Sequence, residues 1–238
     1  MSRNACAAVL GRPRVHLRST DSTSDRAREL AIKGAPHGTL VTAAEQTAGR
    51  GRQGRRWSAP AASSVLMSLV LRSPPPLLPL IAAVAVCDVA GEHAQIKWPN
   101  DIVVAQPQGL AKLAGILAEG RPQEGWAVLG VGLNVAVEAR DLPSELRGRA
   151  ASMGLSAAEI EPTLKRLLAA LAQRLGDSGQ ATLDTWRARD ALRGRTVAWA
   201  AGRGRAEGID GAGRLIVALT GGGHTTLDAG EVHLEEIG

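Results

Sequence analysis

The sequence contains neither phenylalanine nor tyrosine, which leaves five tryptophans among its large aromatic residues. Proteins that bind single-stranded nucleic acid stack the bases on aromatic rings. The composition therefore disfavours an RNA-binding protein, although the net charge is +5 and the pI is near 10. The basic excess is modest, with 28 Lys and Arg against 23 Asp and Glu, so charge permits a nucleic-acid partner without requiring one. RNA binding stays open as an alternative function.

Long apolar runs and metal-ligating patterns are also scarce. No run approaches the ~20 apolar residues of a membrane-spanning helix, and Arg12 and Arg14 interrupt the apolar start where a signal peptide would be cleaved. Two cysteines, Cys6 and Cys87, favour reduced thiols over a disulfide framework, and five scattered histidines give no zinc-ligand spacing. We therefore expect a cytoplasmic protein that has no membrane segment and no resident metal site.

The common phosphate-binding loops are missing as well. No G-x-x-x-x-G-K-[ST] pattern occurs, and no G-x-G-x-x-G lies between a strand and a helix. An anion would have to be bound in some other way.

What the chain does contain is an alternation of apolar segments with two periods. Helical patterns cover residues 21–34, 73–92, 156–175 and 181–192, and strand-like runs cover residues 38–46, 63–72, 94–98, 101–105, 112–120 and 126–135. About five short strands with Gly-containing turns follow Leu192, without a helical pattern. The sequence predicts an α/β fold with one mixed β-sheet and helices, followed by a small β-barrel or sandwich. The predicted segments are a tail (1–14), a main domain (15–191) and a C-terminal domain (192–238).

Polar stretches interrupt the predicted sheet at several strand ends. They are DSTS (21–24), EQTAGRGRQGRRW (45–57), KWPND (97–101), AKLAGIL (111–117) and GVGLN (130–134). Because strand ends and their loops can meet in one cleft, we take all five as parts of one candidate site. Four of them also have a plain structural reading: Ser22 and Thr23 as helix caps, residues 48–57 as a solvated charged loop, Lys112 as a lysine that extends to the surface, and KWPND as a turn.

Residues 48–57, AGRGRQGRRW, form the least ordinary of these stretches and are called the Arg/Gly loop below. They combine four arginines with three glycines and end on Trp57. Arginine is a bidentate donor for phosphate and carboxylate, and glycine lets a backbone approach a ligand closely. The loop follows directly after a predicted strand, which favours a segment that closes over an anionic ligand.

Taken in order, DSTSDRA, EQTAGRGRQGRRW, KWPND, KLAGIL and GVGLNV resemble the signature of the biotin protein ligases. The resemblance runs from about Val15 to the end, where GIDGAGRLIV and AGEVHL are similar to the family's C-terminal SH3-like barrel. It implies a catalytic domain of the biotin/lipoate ligase type, and an ATP-dependent, AMP-forming biotin–[acetyl-CoA-carboxylase] ligase.

The resemblance implies two half-reactions in one site. The carboxylate of biotin attacks the α-phosphate of ATP, giving biotinyl-5′-AMP and pyrophosphate. A specific lysine of a biotin carboxyl carrier protein domain then attacks the anhydride and releases AMP. Arginine, lysine and the Mg²⁺ that accompanies ATP neutralise the developing charge, and a loop that orders on the ligand keeps water from the adenylate.

By the family pattern, the catalytic residues are Lys112, Arg50 and Asp101. Lys112 would lie near the biotin carboxylate and the α-phosphate, and Asp101 near the acceptor amine. The residues implied to bind biotin or biotinyl-AMP are Ser22, Thr23, Ser24, Gln46, Arg50, Gly51, Arg52, Trp57, Lys112, Gly132 and Asn134. Ser24 stands where the family has asparagine.

Further expectations concern partners. About fourteen residues precede the catalytic pattern, too few for a three-helix DNA-binding module, so we expect no sequence-specific DNA binding and no repressor activity. Monomer and homodimer both stay open. A lipoate or octanoyl ligase or transferase of related fold is the nearer alternative, although the Arg/Gly loop together with KWPND is not expected there.

Overall fold

The computed structural model describes residues 10–228 and 232–234. Cys6 and most of the predicted tail lie outside the described residues, as do 229–231 and 235–238 of the predicted C-terminal domain. The strands are β1 (Arg14–Leu17), β2 (Leu40–Ala43), β3 (Ser64–Arg72), β4 (Gln95–Lys97), β5 (Asp101–Gln106), β6 (Gly109–Arg121), β7 (Trp126–Asn134), β8 (Thr196–Trp199), β9 (Gly202–Ile209), β10 (Leu215–Leu219), β11 (His224–Leu227) and β12 (His233–Leu234). The α-helices are α1 (Thr23–Ile32), α2 (Leu78–Ala90), α3 (Ile160–Arg174) and α4 (Gly179–Ala188). None of the helices in this described part is long and apolar enough to cross a membrane.

The first seven strands form one mixed sheet in the order β1-β2-β3-β7-β6-β5-β4. β1 and β2 run parallel, whereas every other neighbouring pair is antiparallel. The predicted α/β fold with a mixed sheet is confirmed. β1 was not predicted, because it is a four-residue edge strand whose first three residues are exposed, so no apolar alternation marks it.

Helices cover both faces of this sheet. On one face, Ala27 and Ala31 of α1 pack with Val70 and Val128 in the smaller apolar cluster. On the other face, α2 is apolar nearly all round, and it lies between the sheet and helices α3 and α4. Burial raises the pKa of its Cys87 thiol to about 12, which suits a small core residue and not a reactive thiol.

The last five strands form a second sheet in the order β11-β10-β9-β8-β12. Its buried residues, among them Val197 and Leu215, belong to the same large apolar cluster as the first sheet. The indole Nε1 of Trp98 also donates to the carbonyl oxygen of Gly213, at 3.1 Å. The predicted β-rich C-terminal segment is confirmed as a small antiparallel sheet. Closure into a barrel stays a prediction, since the pairings within the described residues leave β11 and β12 at two edges.

Candidate active site

A cleft opens on the α1 face of the first sheet, at the N-terminal end of α1. It encloses about 680 Å³, including the open space at its mouth. Its walls come from α1, the Arg/Gly loop and strands β3, β5, β6 and β7. The predicted site residues among its lining are Thr23, Ser24, Gln46, Arg50, Gly51, Arg52, Trp57, Asp101, Lys112 and Gly132. Polar stretches that are up to about a hundred residues apart in sequence therefore meet in one place.

Hydroxyl and amide groups form one part of the cleft lining. Gln46 Oε1 accepts from the Thr23 backbone N–H at 2.7 Å and from the Thr23 hydroxyl at 3.0 Å. Ser68 Oγ lies 2.9 Å from Thr23 Oγ1 and 3.1 Å from Ser24 Oγ. Ser22 has the capping role that its position suggested, because its side chain accepts from the Asp25 backbone N–H. Buried hydroxyls that already bond to one another can exchange those bonds for a ligand's polar head.

The Arg/Gly loop is an ordered hairpin. Gly51 N donates to Arg55 O at 2.8 Å, and Trp57 N donates to Gly49 O at 2.9 Å. A Cβ at position 49 would lie 2.5 Å from Trp57 O, so glycine is required for this close approach of the two backbones. The loop therefore has a defined shape, which a solvated charged run would lack.

Arg50, the first arginine of the loop, belongs to a closed ring of charges. Its Nη1 lies 2.8 Å from Asp25 Oδ1, and its Nη2 lies 2.8 Å from Glu119 Oε1. Arg28 Nη1 reaches the same Asp25 oxygen at 2.7 Å, and its Nη2 reaches Glu119 Oε2 at 2.5 Å. We call these four residues the arginine clamp. Its two positive and two negative charges balance, so Arg50 adds little net positive charge to the cleft.

Arg52 occupies a different environment. Burial, and after it the neighbouring charge of Arg55, lowers the pKa of the Arg52 guanidinium, although Asp101 acts in the opposite sense. Within the described residues no carboxylate lies within salt-bridge distance of Arg52. A half-buried cation of this kind is stabilised by an anionic ligand.

Trp57 lies against two glycines that are partners across β6 and β7. Gly115 and Gly132 face each other in the sheet. A Cβ would lie 3.0 Å from the Trp57 ring at position 115 and 2.4 Å from it at position 132. The indole Nε1 is buried without a hydrogen-bond partner in the described residues. The missing side chains thus create a flat floor on which the indole rests.

Replacing Gly132 by alanine should force the indole off this floor, because a 2.4 Å contact cannot be accommodated without movement. We expect trypsin to cut the Arg/Gly loop of this variant several times faster than that of the parent. Gly115→Ala should have a weaker effect. Gly211→Ala is the control, since a Cβ there meets nothing within 4 Å. Equal cleavage rates for Gly132→Ala and Gly211→Ala would contradict the described seat of Trp57.

Lys112 reaches the cleft because of an irregularity in β6. The pairing of β5 with β6 shifts by one residue, from Ile102↔Ala114 to Val103↔Lys112. Leu113 and Ala114 therefore both pack in the core, against the strict alternation of a strand. Lys112 consequently faces the cleft, where its Nζ lies 2.7 Å from Asp101 Oδ1 and 5.6 Å from the centre of the Trp57 ring.

The KWPND stretch does more than turn the chain. Trp98 is buried and joins the two sheets through its bond to Gly213. Asn100 is linked to β6 by two hydrogen bonds. Its side-chain Nδ2 donates to the Ile116 carbonyl oxygen at 2.8 Å, and its backbone carbonyl oxygen accepts from the Ile116 N–H at 3.0 Å. These contacts hold Asp101 at the start of β5, beside Lys112.

Two predicted site residues lie outside the cleft lining. Ser22 is buried as a helix cap. Asn134 accepts from Ser64 Oγ at 3.2 Å and donates to Ala151 O at 2.9 Å, so its amide is occupied within the protein. The roles assigned to these two residues stay predictions.

Three residues in or beside the cleft were not singled out by the sequence. Gly115 lay within the KLAGIL stretch, but its function as part of a floor depends on Gly132 in another strand. Ser68 stands in an apolar run, where one serine carries no signal of its own. Glu119 is a single acidic residue near the end of β6, and its role depends on residues from two other segments.

Comparison with known proteins identifies the family of this chain. The model of the biotin/lipoate A/B protein ligase family matches residues 16–135, about half of the chain. A biotin–[acetyl-CoA-carboxylase] ligase of Mycobacterium tuberculosis is 34% identical over 239 residues, which cover 90% of this chain and 85% of that protein. The chain belongs to the biotin/lipoate A/B protein ligase family.

Other family members extend the comparison. The bifunctional ligase/repressor BirA of Bacillus subtilis is 40% identical over 163 residues, covering 63% of this chain and 49% of that protein. The chain thus matches about half the length of this curated relative. Biotin protein ligase of Aquifex aeolicus, solved with biotin and ATP, shares the fold: its TM-score is 0.76 at 24% identity, covering 93% of this chain and 98% of that one.

Proposed function

We propose that this family member is a biotin protein ligase, which forms biotinyl-5′-AMP from biotin and MgATP and then transfers biotin to a lysine of a carrier protein. The observation that carries the proposal is the mixed lining of the cleft, which combines hydrogen-bonding groups with cations. Its hydroxyl and amide groups, at Thr23 and Gln46, suit the ureido group of biotin, which both donates and accepts hydrogen bonds. Its cations, Lys112 and Arg52 among them, suit a carboxylate and a phosphate.

The first half-reaction needs no nucleophile from the protein, because the carboxylate of biotin attacks the α-phosphorus of ATP. Lys112 would stabilise the charge that develops on the α-phosphate as the bond to biotin forms and pyrophosphate leaves. The ion pair with Asp101 holds the ammonium group in place beforehand. Asp101 is the one carboxylate in the described lining of the cleft. A single carboxylate suits a divalent cation that arrives already bound to ATP, and not one that the protein holds by itself.

The second half-reaction needs an uncharged amine, because a protonated lysine is not a nucleophile. We propose that Asp101 lies near the incoming amine and helps it to lose its proton. Arg52 would hold the Arg/Gly loop against the adenylate and exclude water until the acceptor lysine enters. The carrier partner, the SH3-like barrel, the absence of specific DNA binding, the oligomeric state and the cytoplasmic location stay predictions.

One assay tests the function. The protein is incubated with MgATP, a biotin carboxyl carrier domain and either biotin or lipoate, and the carrier is analysed by mass spectrometry. We expect one modified lysine with biotin and none with lipoate. Modification by lipoate alone would support the lipoate-ligase alternative. The absence of any ATP consumption, together with salt-sensitive retention on RNA, would support the nucleic-acid alternative.

A further inference from the structure

The arginine clamp joins three segments that are distant in sequence. Asp25 and Arg28 come from α1, Arg50 from the Arg/Gly loop and Glu119 from β6. Both terminal nitrogens of Arg50 are bound to carboxylates, and the four side chains are each between 27% and 35% exposed. The clamp therefore fixes one point of the loop to the scaffold before any ligand is bound.

The rest of the loop is held differently. Its turn closes on itself, because Arg55 N donates to Arg52 O at 3.1 Å and Gly51 N donates to Arg55 O at 2.8 Å. Gln53 has a positive φ of 54°, a conformation that belongs to the tight turn. The part from Arg52 to Arg55 is thus a small turn that lies between two attachments of the loop, the clamp at Arg50 and the seat of Trp57.

We propose that Asp25 and Glu119 are positioning residues that anchor the loop at Arg50, so that only the turn beyond it closes over the adenylate. The adenylate rests on the proposed function, whereas the anchoring is a property of the free protein. If the carboxylates did not bind Arg50, the whole loop would have to become ordered each time it closed. The larger loss of conformational entropy would lower the population of the closed state. The carboxylates also neutralise Arg50, so Arg52, which has no carboxylate at salt-bridge distance among the described residues, contributes more than Arg50 to the positive charge that attracts the ligand anion.

The anchoring is tested in the free protein by hydrogen exchange. The variants are Asp25→Asn and Glu119→Gln, which keep the shape of the side chains and remove their charge. Exchange is followed at the amides of Gly51 and Trp57, which are bonded within the hairpin. Each variant weakens two ion pairs, so we expect exchange to be faster by roughly 2- to 30-fold. In the parent, exchange at these amides should also quicken at ~1 M salt, where the Debye length falls to ~3 Å.

The matched control is Glu29→Gln. Glu29 is an acidic residue of the same helix, but its partner is Arg26, at 3.0 Å, and it makes no contact with the loop. We expect its hydrogen exchange to match that of the parent, and melting temperatures establish that all variants are folded. Exchange in Asp25→Asn and Glu119→Gln no faster than in this control would overturn the proposed anchor.

A second measurement tests whether the anchor serves the reaction. Purified protein is loaded with biotin and MgATP, and the release of biotinyl-AMP is followed by rapid filtration. We expect release from Asp25→Asn and Glu119→Gln to be faster by a similar factor, with the rate of adenylate formation changed less. Faster exchange with unchanged release would overturn the positioning role. A third result is that neither the parent nor the variants form biotinyl-AMP, while hydrogen exchange is still faster in Asp25→Asn and Glu119→Gln than in the parent. That result would support the anchor and contradict the proposed function.

Discussion

Replacing Lys112 by alanine should reduce the rate of biotinyl-AMP formation by roughly 10²-fold or more. The Lys112 ammonium group is held in the cleft by Asp101, at 2.7 Å, where charge would develop on the α-phosphate. Because the side chain is 38% exposed, its removal leaves no large cavity, so the fold should be preserved. The measurement is single-turnover release of pyrophosphate from biotin and MgATP, together with the melting temperature.

Two controls separate chemistry from structure. Lys33→Ala removes a lysine that is exposed beyond the end of α1, and it should leave the rate unchanged. Lys112→Ala/Asp101→Asn removes the unpaired carboxylate as well, and a rate that recovers in the double variant would assign the loss to that carboxylate and not to the missing cation. Near-normal pyrophosphate release by Lys112→Ala would remove Lys112 from the site.

Replacing Arg52 by glycine should turn the protein into a ligase that loses its intermediate. The change removes the proposed charge-assisted contact between Arg52 and the adenylate, and it gives the backbone more conformational freedom. Both effects favour the open loop. Loss of a hydrogen bond to a charged group corresponds to roughly a 10- to 100-fold shift toward the open state. Biotinyl-AMP should form, escape and acylate lysines of bystander proteins. Mass spectrometry of an unrelated protein, incubated with enzyme, biotin and MgATP, measures this labelling.

Arg52→Ala is the matched variant, because it removes the same charge without the backbone freedom of glycine. We expect bystander labelling to increase in the order parent, Arg52→Ala, Arg52→Gly. If the adenylate still forms and stays bound in both variants, with labelling at the parent's level, the loop is not the lid that we propose.

Several elements could be predicted from the sequence because their causes are local. The capping serine and the closing glycine around α1 mark that helix, and the apolar runs of β3 and β7 mark central strands of a buried sheet. The order of the motifs likewise indicated the family to which the chain belongs. The helix and strand patterns are each contained within a few neighbouring residues, and the order of the motifs is a property of the linear chain, so none of them depends on the fold.

The geometry of the cleft has causes that are not local. A strand with strict alternation would place Lys112 and Gly115 on opposite faces, and only the shifted pairing of β5 with β6 brings both to the cleft. The seat of Trp57 requires two glycines of neighbouring strands to be opposite each other. Neither the shifted pairing nor the pairing of the two glycines can be deduced from the residues of a single segment.

The mixed α/β class, the family and the types of all elements except β1 follow from the sequence, because periodicity and motif order are properties of the chain. Which charges are neutralised depends on the tertiary structure. Arg50 and Arg52 are two residues apart in the same motif, yet Arg50 is bound by carboxylates from α1 and β6, while Arg52 is half-buried with none at salt-bridge distance among the described residues. The physical reason is that Coulomb interactions depend on distance in space, and a sheet brings together groups that the sequence keeps far apart.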